Sequence, residues 1–252
     1  MGANQTIQVH PDIAITGEVN RHFAIGCIDI QNDFCKGGSL AVNEANESIA
    51  DTNKLICAFH RHLPIFHSQD YHPTNHMSFA ASHKGKKEFE EVDLHLKMED
   101  GSYIDVKQKL WPAHCAKDSY GAQFHHTLIM TKNDKIIRKG TKENVESYSA
   151  FGDEFGGKYE KTELDYWLKS KNITDIILVG LATDYCVYNT AKDAIKLGYK
   201  VHLIRSCTRG VAENTTEEAL EDMASKGVLF YTDVDSFYRE YKEPIIYGES
   251  KI

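Results

Sequence analysis

Short apolar runs rich in isoleucine and valine return along the chain with amphipathic stretches between them, and this alternation limits the fold more than any other feature. The runs are FAIGCIDI from Phe23, LPIFHS from Leu63, KIIRKG from Lys135, DIILVG from Asp175, KVHLIR from Lys200 and GVLFYT from Gly227. Their near-continuous hydrophobicity is that of strands buried on both faces, as in a parallel sheet. Helical periodicity spans Glu44 to His62, Glu163 to Ser170, Tyr185 to Leu197 and Thr216 to Lys226, the last with Asn214 or Thr215 as N-cap. Gly198 and Gly227 stand where two of these helices should stop. The expected architecture is α/β: three α/β/α layers around a mostly parallel six-stranded sheet, with right-handed crossovers.

Two segments break the alternation. Residues 1–22 read as an N-terminal extension, and about 82–110 as a loop insertion in a single domain that runs from 23 to 252. Within the insertion, EFEEVDLHLKMEDGSYIDV predicts a β-hairpin turning at Asp100-Gly101. At 252 residues, one domain of this kind buries roughly 75% of its unfolded surface.

A net charge of −8 argues against nucleic acid and anionic lipid as partners. No run reaches the ~18 apolar residues of a membrane helix, and the N-terminal residues lack the basic-then-apolar order of an export signal, so the expected compartment is the cytoplasm. The six cysteines then read as thiols rather than a disulfide framework, and the sequons at Asn4, Asn46, Asn172 and Asn214 carry no meaning. Ser250-Lys251-Ile252 resembles a peroxisomal address, a secondary expectation for localisation.

Ligands of open parallel sheets gather at the carboxyl ends of the strands. Four runs deliver reactive types there: Asp29 followed by QNDF, then Asp70 with His72, then Arg138 with Lys139, and finally GLATDYC ending in Cys186. Asp70 and His72, at i and i+2 of an extended segment, with His76 and His114, make a carboxylate–imidazole set of the kind that binds zinc or a similar divalent ion. Among the thirteen histidines, His10, His60, His62, His125 and His126 read as surface residues. Cys186 opens a predicted helix, where unpaired N–H groups favour a thiolate. Cys27 and Cys57 read as small buried hydrophobes, while periodicity leaves Cys115 and Cys207 undecided. GDEFGGK from Gly152 resembles a phosphate loop but follows no strand and has Tyr159 where Ser or Thr is needed; no G-x-G-x-x-G follows the first strand.

These residues resemble those of the isochorismatase-like cysteine hydrolases, and within them the nicotinamidases. The likeness runs from about Phe23 to Tyr231 and rests on CIDIQNDFCKGGSLAV, HSQDYHPTNHMSF, LWPAHC, IRKG followed by ESYSAF, and VGLATDYCV. It implies an isochorismatase-like, Rossmann-like fold and hydrolysis of nicotinamide to nicotinic acid and ammonia through a cysteine thioester. It implies a catalytic triad of Asp29, Lys139 and Cys186, and an oxyanion hole from the backbone N–H groups of Ala182 and Cys186 beside a cis Leu181–Ala182 peptide. Phe34 and Trp111 match positions that sandwich the pyridine ring, and Tyr148 a pocket wall. Asp70, His72 and His114 match metal ligands, with His76 a further ligand or a neighbour of the cage; the metal is expected to be zinc, with iron or manganese as alternatives. The small-molecule partner is nicotinamide, and a homo-oligomer is compatible with the sequence. The competing readings are another small carboxamide or carbamoyl hydrolase of the family and a non-catalytic metal-binding regulatory protein.

Overall fold

The computed structural model describes residues 21–247. The Ser250-Lys251-Ile252 signal, His10, Asn4 and nearly all of the 1–22 extension lie outside them. Six strands form one parallel sheet in the order β5-β2-β1-β6-β7-β8, built from β1 (Phe23–Ile28), β2 (Ile65–Asp70), β5 (Lys135–Lys139), β6 (Asp175–Leu181), β7 (Lys200–Arg209) and β8 (Leu229–Tyr231). All the adjacent pairs in it are parallel, which sharpens the expectation of a mostly parallel sheet. β1, β2 and β6 are buried at every position, the cause of their uninterrupted apolar pattern.

Helices cover both faces. On one, Ile25 and Cys27 pack with α1 (Ala45–Phe59) and α5 (Val234–Tyr247) through Ile49, Ile56, Phe59, Phe237 and Tyr241. On the other, Ala24, Ile28 and Phe66 pack with α2 (Leu164–Ser170), α3 (Tyr188–Lys196) and α4 (Glu213–Ser225) through Leu164, Leu168, Ala191 and Met223. The insertion holds the expected hairpin, β3 (Glu91–Lys97) and β4 (Tyr103–Lys109), turning through Asp100 and Gly101.

The chain winds outward from β1 through β2 to β5, then restarts at β6 and winds the other way through β7 to β8. This reversal between β1 and β6 leaves a crevice at their carboxyl ends, where Asp29 and Cys186 lie.

Four expectations are corrected. α4 begins at Glu213, and its N-cap is Ala212, with no side-chain cap, rather than Asn214 or Thr215. The cause is tertiary: Asp184 accepts from Val211 N–H (2.9 Å), Ala212 N–H (3.3 Å) and the Thr215 hydroxyl (2.5 Å). α5 had no counterpart among the expected helices. Cys57 is exposed on the outer face of α1. His125 is buried, because its Nδ1 lies 2.8 Å from the Thr127 hydroxyl and its N–H donates to Ile30 O.

Candidate active site

β1 ends and the backbone turns at Asp29, whose positive φ of 44° throws its carboxylate under the end of the sheet. Lys139, the last residue of β5, reaches the same point from two strands away, and both side chains are fully buried. Its ammonium lies 2.9 Å from Asp29 Oδ2, 2.5 Å from Asp70 Oδ1 and 3.3 Å from Cys186 Sγ, and also donates to Ser147 O at 3.1 Å. Asp29 Oδ1 accepts from the Ser68 hydroxyl at 2.7 Å, which leaves Oδ2 to face the lysine and the thiol. A single buried cation thus serves two carboxylates and a sulfur.

Cys186 sits in one π-helical turn, Thr183–Val187, that joins β6 to α3 and follows a cis Leu181–Ala182 peptide. The expected helix start at Tyr185 is therefore this wider turn. It is a conformation met frequently at functional sites.

Electrostatics separate the two carboxylates. Burial raises Asp29, Lys139 opposes that, the Asp70 charge adds to it, and the result is about 6. Burial would raise Asp70 too, but Lys139, His72 and His114 outweigh it and hold that carboxyl well below the usual range. Burial also pushes the Cys186 thiol up, with Lys139 pulling the other way. The resting pair is therefore a thiol beside a carboxylate that takes a proton near neutrality, rather than the preformed thiolate expected from a helix terminus.

Asp70, His72 and His114 meet beside this group. His72 Nε2 lies 3.6 Å and His114 Nε2 4.0 Å from Asp70 Oδ2. His72 Nδ1 is 2.8 Å from Gly140 O and His114 Nδ1 is 2.8 Å from Pro112 O, so each ring donates from Nδ1 and turns Nε2 inward; burial lowers the His72 imidazole, but the Asp70 charge outweighs it and raises it. Burial, with His72 beside it, pushes His114 down to about 4, which keeps the ring neutral as a ligand must be. Bonds of about 2.0–2.2 Å around a tetrahedral centre separate ligand atoms by about 3.4 Å, a spacing this donor set fits. Asp29, Asp70 and Cys186 also converge, but the Lys139 ammonium already fills the space between them.

His76 does not join the cage. Its Nε2 is 2.9 Å from Val145 O and its Nδ1 2.8 Å from the Ser78 hydroxyl, so both ring nitrogens are engaged; the ring packs on His72 with centroids 4.2 Å apart.

A cleft of about 340 Å³, counted to its open mouth, joins the two groups. Asp70, His114, Ala182 and Cys186 line its polar side, and Phe34, Trp111 and Tyr148 its aromatic walls. Trp111 Nε1–H donates to the Tyr148 hydroxyl at 3.0 Å, which fixes the indole. Leu40, Tyr185 and Val211 complete the lining and were missed in the sequence. Tyr185 could have been found, since it directly precedes Cys186 and packs edge-on against Trp111 with centroids 4.9 Å apart. Gln31 was missed too: its amide accepts from Asp70 N–H and donates to Asp70 O, both at 2.8 Å, pairing like an extra strand residue and pinning the Asp70 backbone.

The chain is similar to several proteins of known activity. The chain is 41% identical over 216 residues to a nicotinamidase of Escherichia coli, covering 84% of this chain and 95% of that protein. A solved nicotinamidase pyrazinamidase of Acinetobacter baumanii superimposes with a TM-score of 0.75 at 37% identity, over 85% of this chain and 98% of the other. The pyrazinamidase of Pyrococcus horikoshii, solved in complex with zinc, superimposes with a TM-score of 0.67 at 31% identity, over 83% and 98%. The Isochorismatase domain profile matches residues 24–233, and the chain belongs to that family.

Proposed function

We infer that this protein is an amidohydrolase that converts nicotinamide to nicotinic acid and ammonia, with Cys186 as the nucleophile. The observation that carries the reading is one ammonium, that of Lys139, within 3.3 Å of Cys186 Sγ and 2.9 Å of Asp29 Oδ2, at the base of an aromatic cleft. The identity of 41% to the Escherichia coli nicotinamidase supports the substrate.

Asp29 takes the thiol proton, and Lys139 holds the resulting thiolate and carboxylic acid together. The sulfur attacks the carboxamide carbon. The oxyanion is received by the N–H groups of Ala182 and Cys186; losing one such donor elsewhere costs about 10²–10³ in rate. Asp29 returns its proton to the nitrogen, ammonia leaves, and a thioester remains on Cys186. Asp29 then takes a proton from water, whose oxygen attacks the thioester; nicotinic acid departs and the thiol is restored. Phe34 and Trp111 flank the ring and Tyr148 braces the indole, which aligns the carboxamide with sulfur. Asp70, His72 and His114 are the residues that would hold a divalent ion, zinc first on the strength of the zinc-bound relative. Such an ion supplies a Lewis-acidic point for the pyridine nitrogen, which would favour nicotinamide over benzamide.

Residues 23–252 form, in this reading, one hydrolase domain in which 82–110 is an insertion. β4 within it braces the cleft wall without lining it, since Gln108 Nε2–H donates to the Tyr148 hydroxyl at 3.3 Å. Among the described residues no helix is long and apolar enough to cross a membrane.

The test is incubation with nicotinamide, reading ammonia and nicotinic acid with and without a chelator, beside a panel of other carboxamides and carbamoyl compounds. Stoichiometric release of both products from nicotinamide is expected. Release only from another amide would transfer the assignment to that substrate, and release from none would end it.

A further inference from the structure

The segment after Gly152 has no part in the reaction above. Its resemblance to a phosphate loop is only apparent, because its amides serve an internal anion: Asp153 accepts from Phe155, Gly157, Tyr159 and Glu160 N–H groups at 2.6–2.9 Å. This turn delivers Glu160, which is 8% exposed, beneath the end of β5. Glu160 Oε1 accepts from Thr141 N–H at 2.8 Å and the Thr141 hydroxyl at 2.5 Å. Its Oε2 accepts from Gly140 N–H at 2.9 Å and from the Ser147 hydroxyl. The segment so held presents two carbonyls to the active site: Gly140 O receives His72 Nδ1–H at 2.8 Å, and Ser147 O receives the Lys139 ammonium at 3.1 Å.

We propose that Glu160 is a positioning residue which, through the Gly140 and Ser147 backbone, sets His72 for metal binding and Lys139 for the nucleophile at the same time. This rests on the functional reading above. Glu160 touches neither substrate nor reacting atoms. A carboxylate suits the position because it alone offers two acceptor oxygens and no donor, and here it meets four donors, two of them backbone N–H groups that cannot reverse. An amide of the same shape turns its NH₂ against one of those N–H groups and leaves that group unpaired. The Gly140 carbonyl then loses its fixed direction, and with it the His72 tautomer that aims Nε2 inward. Outer partners of this kind typically govern about 10–100-fold in metal affinity or activity.

The experiment compares the whole wild-type chain with Glu160→Gln, Asp153→Asn and Ser147→Ala. Each is stripped with a chelator and titrated with zinc chloride by calorimetry, then assayed for ammonia release at saturating zinc and for thermal unfolding. Glu160→Gln is expected to bind zinc about 10–100-fold more weakly and to lose kcat with little change in KM. Asp153→Asn, which loosens the turn that delivers Glu160 without bonding to Gly140, Thr141 or Ser147, is expected to lose clearly less zinc affinity than Glu160→Gln, about tenfold at most. Ser147→Ala removes one of the four bonds, should fall between the two, and decides the matter if Glu160→Gln does not fold. Wild-type zinc affinity in Glu160→Gln, or in Ser147→Ala when it alone folds, overturns the proposal. So does an equal loss in Asp153→Asn, which would make Glu160 part of the turn's general integrity. A wild-type chain that binds zinc yet releases no ammonia sinks the functional reading instead, because the heat of zinc binding is measured independently.

Discussion

At the N-terminal end of the sheet, His202 Nε2 and Asp175 Oδ1 close on each other at 2.8 Å, while His202 Nδ1 lies 3.3 Å from the Tyr231 hydroxyl, amid the rings of Phe23, Phe237 and Tyr241. At the C-terminal end, His72 and His114 face Asp70 across 3.6 and 4.0 Å. Residue types and burial are similar; what differs is whether imidazole and carboxylate touch. Gly140 O and Pro112 O take the Nδ1–H groups of the cage histidines and Lys139 takes Asp70 Oδ1, while both Nε2 atoms stay 3.6–4.0 Å from Asp70 Oδ2. His202 and Asp175 have outer partners too, the Tyr231 hydroxyl beside Nδ1 and the Thr174 hydroxyl donating to Asp175 Oδ2 at 2.7 Å, yet their Nε2 and Oδ1 meet directly. Separation, rather than the presence of histidine and aspartate, distinguishes a ligand site from a structural pair.

The most severe way to test this contrast is Cys186→Ala, which should lower ammonia release by more than about 10³-fold yet leave zinc uptake intact, measured by metal analysis after dialysis. Next, Asp70→Asn or His114→Ala should abolish tight metal binding and cost about 10² or more in kcat/KM, whereas His202→Gln should leave kcat within about twofold and cost about 2 kcal/mol of stability in a denaturant titration. Metal loss in His202→Gln, or none in His114→Ala, would erase the distinction. A pH profile comes third. Asp29 has to be ionised to accept a proton, and its carboxyl is raised to about 6, so kcat/KM should fall about tenfold per pH unit below that point and level off above it. The fourth test, Gly140→Ala, adds a Cβ that overlaps the His72 ring at a φ of +61°, and should weaken zinc binding about tenfold with a loss of melting temperature. The mildest is Tyr148→Phe: it removes the acceptor of Trp111 Nε1–H and should raise KM a few-fold, about 1 kcal/mol, with kcat nearly unchanged.

Strand order and site residues differ in how far they could be read ahead of the structure. The runs around Ile25, Ile65 and Ile177 were legible because strands covered on both faces must be apolar throughout. The Asp100-Gly101 turn was legible because Gly101 takes a φ of +82°. α5 was not, since Pro244 lies inside it; its start was nonetheless marked by Asp233 and Ser236, whose side chains accept from each other's N–H groups at 2.8 and 3.2 Å. The start of α4 depended on Asp184, nearly thirty residues away, which no local pattern contains. In the site, strand ends suggested Asp29, Lys139 and Cys186, spacing suggested Asp70, His72 and His114, and family likeness gave them roles, but none of these revealed Gln31 or Glu160, which act on backbone groups brought near by folding.

That Lys139 answers to Asp29 and Asp70 together has a practical side for protein engineering. Any replacement at this position that suits one neighbour strands the other, so the thiol chemistry cannot be transplanted to a new scaffold as a three-residue graft. The imidazoles and their carboxylate have to travel with it as one unit.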